Sequence, residues 1–259
     1  MDLSEEQFER YARHMILEEV GEEGQERLLS SRVLVIGAGG LGSPLLLYLA
    51  AAGVGTIGVA DPDRVDLSNL QRQIVHATGR VGSLKVESAR ASLAALNPDV
   101  RVIVHPERIG PENAEVLIGG YDLVADGSDN FETRYLLTER CFTLRKPLVA
   151  GALSPFEGQL STFRPYLGAG HPCYRCLFRE APPEGLVPRC ETAGIFGAVA
   201  GVIGTLQAVE VLKELLSLGQ SLDGTLLIYD ALQSEFHRIR IPKDPQCPNC
   251  AVRALNPAG

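Results

Sequence analysis

The chain has 259 residues, 45% of them hydrophobic and 22% charged, with a formal net charge of −8. At roughly 100–200 residues per domain this is one large domain or two small ones, with enough apolar material for a packed core, which excludes disordered and fibrous classes. The acidic balance argues against a general nucleic-acid binder, which would carry a basic face.

The first ten residues, MDLSEEQFER, lack the basic-then-apolar layout of a signal peptide. The longest apolar stretch, residues 193–204, is Gly-rich and shorter than the roughly 18 residues of a membrane span. We therefore expect a soluble cytoplasmic protein with reduced thiols. Residues 4–29 have helical spacing with Ser4 as N-cap. A short β-branched strand over 33–36 precedes a glycine turn (37–43) and an apolar helix over 44–52. A second strand, 55–60, ends at Asp61, and residues 61–82 are polar and loop-like. A helix over 84–96 is stopped by Asn97-Pro98. Next come a strand over 100–104, a helix over 112–118 and a strand over 121–125 ending at Asp126. A helix over 130–144 and a strand over 147–150 complete this half. Such alternation predicts an α/β fold with a Rossmann-like parallel sheet flanked by helices. After Gly151 the character changes. Residues 159–164 and 225–240 read as longer, antiparallel-type strands extending the sheet, with one long helix over 197–218 between them. Residues 168–192 form a Pro-, Gly- and Cys-bearing loop, long enough to suggest a functional segment.

Gly37-x-Gly39-x-x-Gly42 lies between a strand and a helix. The first glycine permits a tight turn, the second lets backbone approach a phosphate, and the third lets helix pack on strand. The helix N-terminus adds amide donors. Asp61, 24 residues after Gly37, can accept hydrogen bonds from ribose hydroxyls. On these features alone an adenine nucleotide is indicated, with NAD favoured; the bland alternative is a turn that serves only packing. Asn69, Arg72 and Lys85 follow, in a chain with only four lysines against twenty arginines. Hydride transfer needs no such cluster, whereas a triphosphate under attack builds charge that Arg and Lys stabilise. Taken singly, each cation also reads as ordinary surface. Asp126, Asp129 and Asn130 fall at the carboxyl edge of the sheet. One carboxylate plus phosphate oxygens makes a magnesium site. The alternative is capping, with Ser128 or Asp129 as N-cap.

Six cysteines remain. Cys173-x-x-Cys176 and Cys247-x-x-Cys250 have the spacing of a tetrahedral, four-cysteine structural zinc site. A redox pair, two disulfides or an iron–sulfur cluster are the alternatives. Cys190, after Arg189 and near a helix start, suits a reactive thiolate, and Cys141 reads as core. Gly197, Gly201 and Gly204 share one helical face and permit close packing, internal or between subunits.

RYARHMIL (10–17), GAGGLGS (37–43), Asp61, SNLQRQ (68–73), Lys85, GSDN (127–130), CYRC, CETAG (190–194), GTLQAVEVLK (204–213) and CPNC stand in one order. Together they resemble the ThiF/MoeB/HesA family, relatives of ubiquitin-activating E1 enzymes, most closely its MoeB-type members. The resemblance covers nearly the whole chain as a single domain. Residues 1–30 would be a helical arm, 31–150 the nucleotide-binding half, and 151–259 the carrier-binding and zinc-bearing half. It implies an adenylyltransferase that activates the C-terminal glycine of a ubiquitin-like sulfur-carrier protein ending in Gly-Gly. The carboxylate would attack the α-phosphorus of ATP, giving an acyl-adenylate and pyrophosphate before thiocarboxylate formation.

By position, Gly37, Gly39, Gly40, Gly42, Asp61, Ser68, Asn69, Arg72, Lys85, Asp129 and Asn130 would form the ATP site, with Asp129 handling Mg2+. Arg13 would reach into the neighbouring subunit of a homodimer, and Cys190 would carry a thioester or persulfide. Zn2+ would sit on the four paired cysteines. Two mild departures are Ala198, where proline is common, and Arg189, where a small residue is usual. Longer relatives carry a rhodanese domain, so a separate sulfur donor, a cysteine desulfurase or a rhodanese, is expected. An NAD-dependent oxidoreductase and a non-catalytic subunit that binds a ubiquitin-like protein are the competing readings.

Overall fold

Ser4 opens the chain through a reciprocal cap. Its Oγ accepts from the Gln7 amide at 3.2 Å, and Gln7 Oε1 accepts from the Ser4 amide at 3.1 Å. This starts α1 (Glu5–Met15) in a computed structural model that describes residues 3–183 and 194–251. The helical spacing of 4–29 is not one helix. The chain turns after Met15 and restarts as α2 (Gly21–Ser30), with Gly21 at a φ of 57° that glycine adopts without strain. Tyr11 is buried under this arm, and its hydroxyl accepts from Asn97 Nδ2 at 2.8 Å.

The strands are β1 (Arg32–Ile36), β2 (Thr56–Ala60), β3 (Arg101–His105), β4 (Leu123–Asp126), β5 (Leu148–Leu153), β6 (Glu157–Phe163), β7 (Thr225–Asp230) and β8 (Glu235–Arg240). Among the described residues they form one sheet in the order β3-β2-β1-β4-β5-β6-β7-β8. Pairings from β3 to β5 are parallel; those from β5 to β8 are antiparallel. The stretch 225–240 is therefore a hairpin of two strands, turned at Ser234 with a φ of 56°. Elsewhere the sequence-based boundaries hold to within a few residues.

Strand β1 shows why both faces are covered. Val33 and Val35 enter one core with Leu45 and Leu49 of α3 (Gly42–Ala51) and Val86 of α4 (Lys85–Leu96). Leu34 and Ile36 enter the other with Leu117 of α5 (Ala114–Gly119) and Leu137 of α6 (Phe131–Thr143). Cys141 lies in that second core, as expected, and burial pushes its thiol up. The long helix Gly197–Leu216 returns to the first face, with Ala208 and Val211 in its core. No helix among the described residues is long and apolar enough to cross a membrane.

Chain order reverses where β1 sits between β2 and β4, and this opens a crevice at the strand ends. The β1–α3 turn occupies it. Gly37 has φ 90°, and a Cβ on Gly42 would lie 2.0 Å from the Gly37 carbonyl oxygen. Gly42→Ala therefore forces the turn apart. We expect a loss of about 1–3 kcal/mol, read as a lower urea midpoint with an unchanged slope.

Candidate functional site

The glycine turn is held from below. Asp61 directly follows β2, is 5% exposed, and its Oδ2 accepts from the Ala38 amide at 2.8 Å. Its Oδ1 accepts from the Asp63 amide at 2.8 Å. On the other side of the turn, His76 Nε2 lies 2.9 Å from the Ala38 carbonyl and Nδ1 lies 2.9 Å from Ser88 Oγ. Burial lowers the His76 pKa, so the ring is neutral near pH 7. A neutral ring satisfies both contacts with Nε2–H donating to Ala38 and Nδ1 accepting from Ser88. Gln73 is 4% exposed and its Oε1 has no hydrogen-bond partner. Its Nε2 lies 3.7 Å from where a Cβ on Gly39 would stand. Neither His76 nor Gln73 was singled out by sequence. Gln73 stood within SNLQRQ, and His76 carried no spacing signal at all.

Beyond Asp61, the polar stretch 61–82 contains two single 3-10 turns, Leu67–Asn69 and Thr78–Arg80. The Asp66 carboxylate caps the first, accepting from the Ser68 amide (2.8 Å) and hydroxyl (2.6 Å). Those bonds hold its carboxyl below the usual range. The turn brings Ser68, Asn69 and Arg72 to one cavity of about 630 Å³, and Lys85 reaches it from the first position of α4. Lys85 is buried and pairs with the exposed Asp63 at 3.0 Å. Because Asp63 is itself bonded to Asp61, one chain of contacts runs from the cavity cation to the glycine turn. Gly40 completes the link: a Cβ there would stand 3.6 Å from Arg72 Cδ and 3.2 Å from Ala200 Cβ. The four polar candidates and the glycine turn are thus one assembly, rather than scattered surface groups.

Asp129 and Asn130 follow β4, whose Asp126 is paired in register with Ile36 at the end of β1. Asp129 is exposed. The N-cap of α6 is Asn130, not Ser128 or Asp129: Asn130 Oδ1 accepts from the Thr133 amide at 2.9 Å. Ser128 lies two residues earlier, with its carbonyl accepting from Arg134, its amide donating to Asp126 and its Oγ making no hydrogen bond. Asp126 is fully buried, and desolvation raises its pKa. Arg13 is exposed on α1 and is not among the residues lining the cavity. Cys190 and Arg189 lie outside the described residues.

Two of the three glycines of the long helix, Gly197 and Gly204, pack against the chain itself. A Cβ on Gly197 would stand 2.4 Å from the Gln71 carbonyl, and one on Gly204 would stand 2.4 Å from the Leu41 carbonyl. Gly201 meets nothing within 4 Å. The helix therefore braces the cation-bearing loop at one point and the start of α3 at the other.

Away from this cavity, Cys173, Cys176, Cys247 and Cys250 bring their sulfurs within 4.8 Å of one another, an arrangement able to hold a metal ion. Three of the four are buried. Cys173 Sγ lies 3.5 Å from Cys247 Sγ, and Cys176 Sγ lies 3.5 Å from Cys250 Sγ. No disulfide joins them. Cys173 does head a helical turn, Tyr174–Leu177, but a 3-10 turn and a loop precede it in place of the strand of a redox motif. Hydrogen bonds with neighbouring thiols, and then burial, push Cys173 up; for Cys176 the hydrogen bonds outweigh burial and push it down. Four sulfurs and no open position fit a closed tetrahedral ion.

Comparison with known proteins places the chain among relatives. The Thermus thermophilus "sulfur carrier protein adenylyltransferase" is 51% identical over 252 residues, covering 96% of this chain and 93% of that protein. The Haloferax volcanii "SAMP-activating enzyme E1" is 50% identical over 250 residues, covering 96% and 91%. Among solved structures, E. coli MccB superposes with a TM-score of 0.81 at 20% identity over 96% of this chain and 76% of MccB, which bears on the fold. The ThiF family model matches residues 11–249, and the chain belongs to the ThiF family.

Proposed function

We propose that the chain adenylates the C-terminal glycine of a ubiquitin-like sulfur-carrier protein at the cavity beside the glycine turn. The observation that carries the reading is the joining of that turn, through Asp61 and Asp63, to Lys85, with Arg72 in the same cavity. The 51%-identical relative is named a sulfur carrier protein adenylyltransferase and the 50%-identical one a SAMP-activating enzyme E1, and the match covers 93% and 91% of their lengths. In this reading the glycine turn and the start of α3 receive the phosphates. Asp61 accepts from the ribose, exchanging its bond to the Ala38 amide. Ser68, Asn69 and Asn130 bound the nucleoside and phosphate edges.

The carrier carboxylate is ionised well above its usual pKa of about 3.5, so no general base is needed. It attacks the α-phosphorus and pyrophosphate departs. Arg72 and Lys85 stabilise charge on the phosphoryl oxygens and the leaving group. Asp129, exposed and free of helix capping, would hold Mg2+, which neutralises phosphate charge when bound. Arg13 acts across a homodimer. Cys190 serves after adenylation, when a separate sulfur donor, a cysteine desulfurase or a rhodanese, delivers sulfur. Residues 31–150 carry the nucleotide and residues 151–259 the carrier and zinc, within one domain. A cytoplasmic setting keeps the thiols reduced.

Two expected outcomes follow. ATP–pyrophosphate exchange should require a carrier ending in Gly-Gly. It should fall at least about 100-fold in Asp129→Ala, on the scale of losing one charge-stabilising group, and persist in Cys190→Ala. Absence of exchange with every carrier, or NADH occupying the site, contradicts the proposal; loss in Cys190→Ala removes that residue from the later step. The four-cysteine cluster should bind one zinc per chain by elemental analysis. Cys176→Ser should lose that zinc and lower the melting temperature, whereas Cys141→Ser should keep it.

A further inference from the structure

The His76 ring stands under the glycine turn, between the Ala38 carbonyl and Ser88 Oγ, 2.9 Å from each, and is 7% exposed. A carbonyl oxygen only accepts, so Nε2 carries the proton; in the neutral ring Nδ1 is then bare, and the Ser88 hydroxyl donates to it. Ser88 lies one turn after Lys85 on α4. The loop that carries His76 is fastened to the same helix. Ser92 Oγ donates to the Val75 carbonyl, and Arg80 donates to the Ser88 carbonyl and to Ser92 Oγ. The imidazole therefore has a fixed position and a fixed tautomer, and both are directed at one backbone oxygen.

Ala38 and Gly39 share a planar trans peptide, in which the carbonyl and the following amide point in opposite directions. Holding the Ala38 carbonyl on His76 turns the Gly39 N–H away from the buried ring. Among the described residues that amide has no acceptor, while the Gly39 carbonyl accepts from the Ser43 amide at 2.9 Å. An oriented N–H with no partner, at the entry to a helix, suits an anion. We propose that His76 is a positioning residue for the nucleotide, acting through the Ala38 carbonyl to aim the Gly39 amide at a phosphate oxygen. This rests on the nucleotide reading above, in which Asp61 releases the Ala38 amide to accept from the ribose. His76 is then the anchor that stays on Ala38.

The test compares two substitutions that each keep one of the two contacts. His76→Gln has an amide long enough to donate where Nε2 does, and so keeps the Ala38 bond. His76→Asn reaches only as far as Nδ1, and leaves the Ala38 carbonyl unmet. The full, zinc-loaded chain is titrated with MgATP by calorimetry at pH 7.5, and pyrophosphate exchange gives the half-saturating concentrations of ATP and of a Gly-Gly carrier. His76→Asn should bind ATP about tenfold more weakly, the scale of leaving one buried acceptor unpaired. Half-saturating ATP should rise by the same factor, with half-saturating carrier unchanged. His76→Gln should retain most of the parent's affinity. A ring that serves only packing predicts equal losses in the two variants, and equal losses overturn the proposal. Nitrogen NMR of the labelled parent gives a reading that needs no variant to fold: the His76 proton is expected on Nε2, and a proton on Nδ1 overturns the proposal. A parent that binds no ATP contradicts the function proposed above and this inference with it. A parent that binds ATP no better than His76→Asn contradicts this inference alone.

Discussion

The peptide joining Gly37 to Ala38 is the point on which the site depends. Its geometry leaves no room for a side chain at Gly42, where a Cβ would meet the Gly37 carbonyl at 2.0 Å. A Cβ on Gly37 would likewise stand 3.0 Å from the Gly127 carbonyl. Ala38 is fixed at both backbone poles, its amide to Asp61 and its carbonyl to His76. The turn is therefore set by sterics from β4 and α3, and by polar contacts from β2 and the following loop. Any ligand that approaches the strand ends meets a backbone already in place, which lowers the ordering cost of binding.

From that point the rest of the assembly follows. Asp61 passes the constraint to Asp63 and so to Lys85, a buried side chain whose ammonium pairs with the Asp63 carboxylate. The long helix closes the other side. Gly197 and Gly204 let it lie against the Gln71 and Leu41 carbonyls, so the second half of the chain braces both the cation loop and the glycine turn. In this way Gly194 and Ile195, just before the long helix, come to line the same cavity as Asn69 and Arg72. The four-cysteine cluster performs the equivalent task at the far end, tying residues 173–176 to 247–250.

Much of this was readable from sequence because the signals were local. The continuous apolar run of β1, the N-cap at Ser4 and the two CxxC spacings each encode their own geometry. The misread features are those where local chemistry is degenerate and tertiary contacts decide. Ser128, Asp129 and Asn130 are all good N-caps by residue type; the helix starts at Phe131, so Asn130 is the one whose side chain meets the Thr133 amide. The spacing of 4–29 suits one helix, and the turn before Gly21 breaks it. Glycine spacing gave the face of the long helix without its partner. His76 was invisible because its role rests on contacts with Ala38 and Ser88, distant in sequence.

We infer that this constrained turn presents the α-phosphorus of ATP to a carrier carboxylate. The most direct measurement labels the C-terminal carboxylate of a Gly-Gly carrier with 18O and recovers AMP after the adenylate is cleaved at its carbonyl carbon. Attack at the α-phosphorus leaves one labelled oxygen on AMP. Unlabelled AMP, or label in inorganic phosphate instead, would contradict the account.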